Sequence, residues 1–205
     1  GRAVRQGPHG RLTRTFRPLR EIAMPTYGPK LATVGTTPSF GEWPWSNPSN
    51  VGSTSSFATS DLTGETTPFG VYESYITTGG ISATGTNQAP ADTTTTSAVD
   101  LTIGGASSLW GRSWVLADVK ANSNFGLLFA VLGSGTVTDR ICAKGFDFSE
   151  IPDGETIVGA EFKLEWKHTD PWTVSVRNVR CTVTTSGGGG GGGGTANNLL
   201  LLGVG

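Results

Sequence analysis

Charge is scarce in this sequence. Asp, Glu, Lys and Arg make up 15% of the 205 residues, against roughly 25% in an ordinary soluble domain. Histidine and cysteine each occur twice and methionine once. The histidines, His9 and His168, read as surface residues, and a zinc centre would need further ligands beside them. No Gly-x-Ser-x-Gly turn and no supported Ser/His/Asp set accompanies them. Long apolar runs are missing too. The longest, residues 125–132 (FGLLFAVL), is far below the roughly 20 residues that cross a bilayer as a helix. The basic N-terminal stretch has no apolar segment of the secretory-signal kind. Cys142 and Cys181 lack CxxC spacing, and lie in strand-like segments either as two buried thiols or as one disulfide.

The acidic residues and glycines offer no other chemistry. Glu161 and Glu165 share a strand face about 13 Å apart by rise, too far for glycosidase carboxylates at about 5–10 Å. Asp147 and Asp153 flank a turn, where calcium ligation and plain turn chemistry fit equally. The glycine run lacks the Lys-Ser/Thr of a phosphate-binding loop. The expectation is a protein with no enzymatic activity, no cofactor and no metal.

What the sequence has in quantity is glycine (31), proline (11), threonine and serine, a composition of strands and turns rather than helices. Its charge is unevenly placed. Residues 1–30 hold Arg2, Arg5, Arg11, Arg14, Arg17, Arg20 and Lys30 against Glu21, a net +6, which leaves −7 for the remainder of a sequence of net charge −1. The near-neutral total argues against a nucleic-acid partner. Residues 1–35, punctuated by Arg, Pro and Gly, read as an extended basic arm, either solvated or lying on an acidic neighbouring surface. The lone Met24 leaves open whether residues 1–23 survive processing or precede the natural start.

From residue 36 the texture is that of β-structure. In ETIVGAEFKLEWKHTD, Ala160, Phe162, Leu164 and Trp166 alternate with Glu161, Lys163, Glu165 and Lys167, the pattern of a half-buried strand. In WTVSVRNVRCTV, Trp172, Val174 and Val176 share one parity, and Val179, Cys181 and Val183 the other. A β-bulge near Arg177–Asn178 restores the inward direction. A hairpin with strands near 157–167 and 172–184 follows, turned by Asp170–Pro171. Residues 125–132 suit a strand buried on both faces, LADVKA one helical turn, and residues 77–98 a long surface loop or an irregular edge. The fold expected is all-β, a jelly-roll-like two-sheet sandwich over residues 36–186, with the basic arm at 1–35 and a glycine-rich tail at 187–205.

Three stretches carry a resemblance: WSNPSNV…SFATSDL (45–62), LWGRSWVLADVKANSNFGLLFAV (109–131) and AKGFDFSEIPDGETIVGAEFKLEWK (143–167). Together they resemble motifs of small β-sandwich virion proteins and fibre domains of tailed bacteriophages. The order of the last two is reversed relative to the family's pattern. The resemblance implies a structural component of a virion, without enzymatic activity, and supplies no functional residues.

The tail raises the question of partners. Eight glycines, residues 187–194, are costly to order and span roughly 25 Å when extended at about 3.1 Å per residue. Beyond them Leu199, Leu200, Leu201, Leu202 and Val204 offer five large apolar side chains, whose full burial contributes roughly 8–15 kcal/mol before ordering costs. The segment either folds back on its own sandwich, docks into a neighbouring subunit, or stays unstructured. A gripping tail and a basic arm suit an assembly. The expected partners are other virion proteins (major capsid or tail proteins) and further copies of the same protein in a homo-oligomer such as a trimer, with no nucleic acid and no membrane. A capsid-surface decorating or cement role is favoured, ahead of a tail-tip or tail-fibre role in host attachment. A carbohydrate-binding module is the rival from another class, with Trp43 and Trp45 as its candidate glycan patch or, in an assembly, an interface patch.

Overall fold

A computed structural model describes residues 24–187, except 39–40, 42, 65–69, 78–81, 91–95, 122–123, 134–135 and 170–171. The basic-arm residues Arg2, Arg5, Arg11, Arg14, Arg17 and Arg20, His9, the Asp170–Pro171 turn and the tail residues Leu199–Leu202 and Val204 lie outside the described residues.

The architecture is an all-β sandwich of two antiparallel sheets. The larger contains β3 (Trp45–Ser46), β4 (Ala58–Asp61), β10 (Thr173–Ser186), β9 (Thr156–Thr169) and β6 (Val99–Gly105) in that order, with β1 (Thr26–Leu31) also on β10. The smaller runs β2 (Val34–Thr36), β8 (Ile141–Lys144), β7 (Gly126–Leu132) and β5 (Gly70–Thr77). A short helix, α1 (Leu116–Lys120), precedes β7, and a 3-10 turn at Pro48–Gly52 precedes β4.

The β9–β10 hairpin follows the alternation of its side chains. Ala160, Phe162, Leu164 and Trp166 of β9 are buried, as are Val174, Val176, Val179, Cys181 and Val183 of β10. The bulge lies at the expected place. Arg177 faces Glu165 and Arg180 faces Lys163, so Asn178 and Val179 together oppose one residue of β9. Asn178 takes the left-handed backbone, φ 51°, which asparagine tolerates better than most residues. The bulge also divides the opposite edge of β10. Residues 173–176 pair with β4 and residues 180–184 with β1, while between them Asn178 donates its amide to Ser53 and Val179 accepts that of Ala32.

Inside, Phe125 meets Phe146, Phe148 and Phe162 at ring-centroid distances of 6.1, 6.0 and 5.9 Å. Trp110 stands edge-on to Phe162, and Phe129 packs on Trp166. β7 is buried on both faces except at Leu132, as its unbroken apolar run requires. Cys142 and Cys181 are buried thiols not joined in a disulfide.

Two expectations are corrected. Within residues 26–35, read as part of the arm, lie β1 of the larger sheet and the first two residues of β2 of the smaller one; Gly28 and Pro29 sit where the β1 register slips, and this bulge hides the strand period. His168 is not a surface residue. It continues the inward parity of β9 and is 7% exposed. Of the two readings of residues 77–98, the irregular edge holds for residues 84–88, which bind the outer edge of β5 through backbone and Asn87 side-chain hydrogen bonds.

One buried ion pair had no signature in the sequence. A bulge between Val71 and Glu73 sets Glu73 opposite Ala130, where its carboxylate is 7% exposed and held by the Arg140 guanidinium through two contacts, one at 3.3 Å.

Candidate functional site

The feature that distinguishes this sandwich is the corner where the described residues begin and end. β1 and β10 pair antiparallel, with Thr26 opposite Thr184. Pro25 accepts a hydrogen bond from the Thr185 amide at 2.9 Å. The described residues therefore begin and end side by side at one end of the larger sheet. Met24 is half exposed at 50%, and Gly187 has open space where a side chain would project.

An acidic ridge borders this corner. Ser186 faces Thr156 across the β9–β10 hairpin, and the turn that leads into Thr156 carries Asp147, Glu150, Asp153 and Glu155. Lys30 of β1 pairs with Glu150 at 2.7 Å, and Lys120 of α1 with Asp153 at 2.7 Å. Four carboxylates against two ammonium groups leave the ridge with an acidic excess. The Asp147 carboxylate accepts the Ser149 amide at 3.0 Å, and that bond holds its pKa below the usual value. The Lys120 contact does the same for Asp153. Both carboxylates thus stay ionised well into the acid range. Asp147 is a turn residue and Asp153 an ion-pair partner. Among the described residues no group of three or more His, Cys, Asp or Glu is placed to hold a metal ion.

The candidate aromatic patch is overturned for Trp45. Its ring is 5% exposed, lies against Phe129 at 6.4 Å and donates its N–H to the Asp139 carbonyl at 2.7 Å. Trp43 is half-buried, and its indole N–H donates to the Thr136 hydroxyl at 2.9 Å. The reason is a long-range contact. Residues 43–46 bridge the Thr136–Asp139 segment of the other sheet, with Asp139 donating its amide to the Trp43 carbonyl. None of the six tryptophans is exposed: Trp45, Trp110 and Trp166 are buried, and Trp43, Trp114 and Trp172 half-buried. Trp114 has the Arg112 guanidinium 5.1 Å from its ring centre and Phe125 edge-on at 5.8 Å.

The thiols are sequestered. Burial pushes the Cys142 pKa up to about 11 and the Cys181 pKa well above its usual value, the reverse of what a reactive cysteine needs.

The corner has no local signature in the sequence. It depends on Thr26 meeting Thr184, and no short-range signal encodes so distant a pairing. No family model, curated protein or solved structure matches this protein.

Proposed function

We propose that this protein is a non-enzymatic structural component of a tailed-phage particle, a decorating or cement protein of the capsid surface whose two extensions clasp neighbouring subunits. The observation that carries the reading is the shared point of departure, the Pro25–Thr185 hydrogen bond beside the acidic ridge. A rigid sandwich that projects a basic arm and an apolar, glycine-tethered tail from one corner has one anchoring pole and a free remainder. Six arginines on the arm complement the acidic ridge of an adjacent copy. The five large apolar residues of the tail need burial that a free copy in water does not offer by itself. The three stretches that resemble phage β-sandwich proteins add a class of particle to this geometry. The sugar-module reading loses ground, since its glycan patch is spent on packing and on hydrogen bonds.

The test is particle binding by the full-length protein with Leu199, Leu200, Leu201 and Leu202 changed to Ser. The variant is expected to keep its β circular dichroism and its thermal transition while its co-sedimentation with particles of the source phage falls to background. Undiminished co-sedimentation of the folded variant would contradict the clasp.

A further inference from the structure

The outer edge of β6 plays no part in the fold or in the corner. Its residues pair with β9 from Val99 opposite Trp166 to Gly105 opposite Ala160, and among the described residues no strand pairs with its other side. The matching edge of the smaller sheet is treated differently. There Thr84 donates its amide to Ile76, Gln88 donates to Ser74, and the Asn87 side chain bonds Ser74 and Tyr72. The inward face of β6 is also unfinished. Ile103 is buried, Leu101 half-buried and Val99 41% exposed. An open strand edge with an apolar inner face is a template for one more strand.

We propose that this edge receives residues 199–205 of a second copy as an added strand. The inference rests on the reading of the tail as an intersubunit clasp and names where the clasp lands. Side-chain alternation fits. In a strand Leu200, Leu202 and Val204 share one face and would extend the layer begun by Ile103, Leu101 and Val99. The other face then carries Leu199, Leu201, Gly203 and Gly205 and is the less apolar of the two. The segment holds no charge and no proline, so it can supply a ladder of backbone donors and acceptors without interruption.

Reach agrees. Residues 187–198 would span about 37 Å when extended at about 3.1 Å each, enough to cross from this corner to a neighbouring copy. The route to its own edge is encumbered, because the turn after β6 folds over the start of β9. Ser108 accepts the Ala160 amide at 3.1 Å, and the Trp110 N–H bonds the Ala160 carbonyl at 2.8 Å. A neighbour's segment approaches the edge from its open side.

The test places benzoyl-phenylalanine at Thr102, an exposed β6 position, in the full-length protein. Copies with natural nitrogen are mixed with copies labelled with heavy nitrogen, assembled and irradiated, and the joined peptides are identified by mass spectrometry. Cross-links from position 102 to residues 199–204, including pairs of mixed isotope, are expected. Pairs of one isotope alone would mean self-docking and overturn the proposal. So would links to residues 99–105 of another copy, which would mean edge-to-edge pairing of β6, or no links to 199–204. Sedimentation of the Leu199–Leu202 serine variant separates the clasp from its seat. Loss of assembly together with no cross-link in the parent leaves the clasp standing and removes β6 as its seat; unchanged assembly removes both.

Discussion

The carbonyl oxygen of Pro25 lies 2.9 Å from the amide nitrogen of Thr185, so the first described strand and the last are held together at their outer ends. Continuing the register from Thr26 opposite Thr184, Met24 stands across from Ser186. Cross-strand neighbours of this kind have Cα atoms about 4.5–5.5 Å apart, within the range a disulfide spans. Met24→Cys with Ser186→Cys is therefore expected to form an internal disulfide on mild oxidation, seen as a loss of about two daltons, two thiol hydrogens, in the monomer. Failure of the folded double variant to close, with the two buried native thiols left untouched, would contradict the shared corner.

Asn178 is the hinge of the β10 bulge, and its side chain donates to Glu165 at 2.7 Å while Arg177 bonds the same carboxylate at 2.7 Å. These contacts, the Asn178 bond first, hold the Glu165 pKa below its usual 4.5. A carboxylate whose pKa is depressed by folding stabilises the protein above its unfolded pKa, and this contribution is lost as pH falls through the folded value. Asn178→Ala, which also places a Cβ-bearing, non-Asn residue at positive φ, is expected to cost about 1–3 kcal/mol. Asn178→Gly keeps the backbone freedom and is expected to cost less. Urea unfolding checks the sign: the gap between the wild type and Asn178→Gly should narrow from about pH 7 to about pH 3. A gap independent of pH would rule out the Glu165 contact as its source.

Gly104 and Gly154 both have positive φ, +78° and +90°, yet their surroundings differ. A Cβ on Gly104 would lie 2.5 Å from the Ala160 carbonyl oxygen and 2.8 Å from the Trp110 ring, whereas one on Gly154 would meet nothing within 4 Å. Gly154→Ala is expected to cost about 1 kcal/mol for backbone strain alone. Gly104→Ala also displaces the indole that bonds Ala160 and is expected to cost about 3 kcal/mol or more. Equal losses in thermal unfolding would mean that Trp110 is not locked in place.

The thiols offer a chemical check on the core. With Cys142 raised to about 11 and Cys181 higher than usual, both by burial, neither presents thiolate near pH 8. The native protein is expected to be silent to a disulfide reagent such as dithionitrobenzoate and to titrate two thiols once unfolded in guanidinium. A thiol that reacts in the folded state would show that the sheets part at β8 or β10.

These elements are unequally legible in the sequence. The β9–β10 hairpin and its bulge can be read because Phe162, Leu164 and Trp166 alternate cleanly and the phase slip at Asn178 is visible as a break in parity. β7 announces itself as an apolar run. β1 does not, since Gly28 and Pro29 interrupt its period at the point where its register slips. His168 reads as a surface residue because its charged sequence neighbours outweigh its inward parity. Trp45 reads as an exposed patch because the Thr136–Asp139 segment that covers it is remote in sequence. The corner joining Pro25 and Thr185 is a property of long-range pairing alone. Local patterns fix the faces of strands, while the neighbours of those strands are decided by the whole sequence.

The central claim is that this sandwich works as a clasped component of a particle surface. It is tested most directly by immunogold electron microscopy of purified particles, using antibodies raised against residues 36–186. Gold distributed over the head is the predicted result. Gold confined to a tail tip or fibre would contradict the decorating role in favour of host attachment, and particles without gold would contradict the virion assignment altogether.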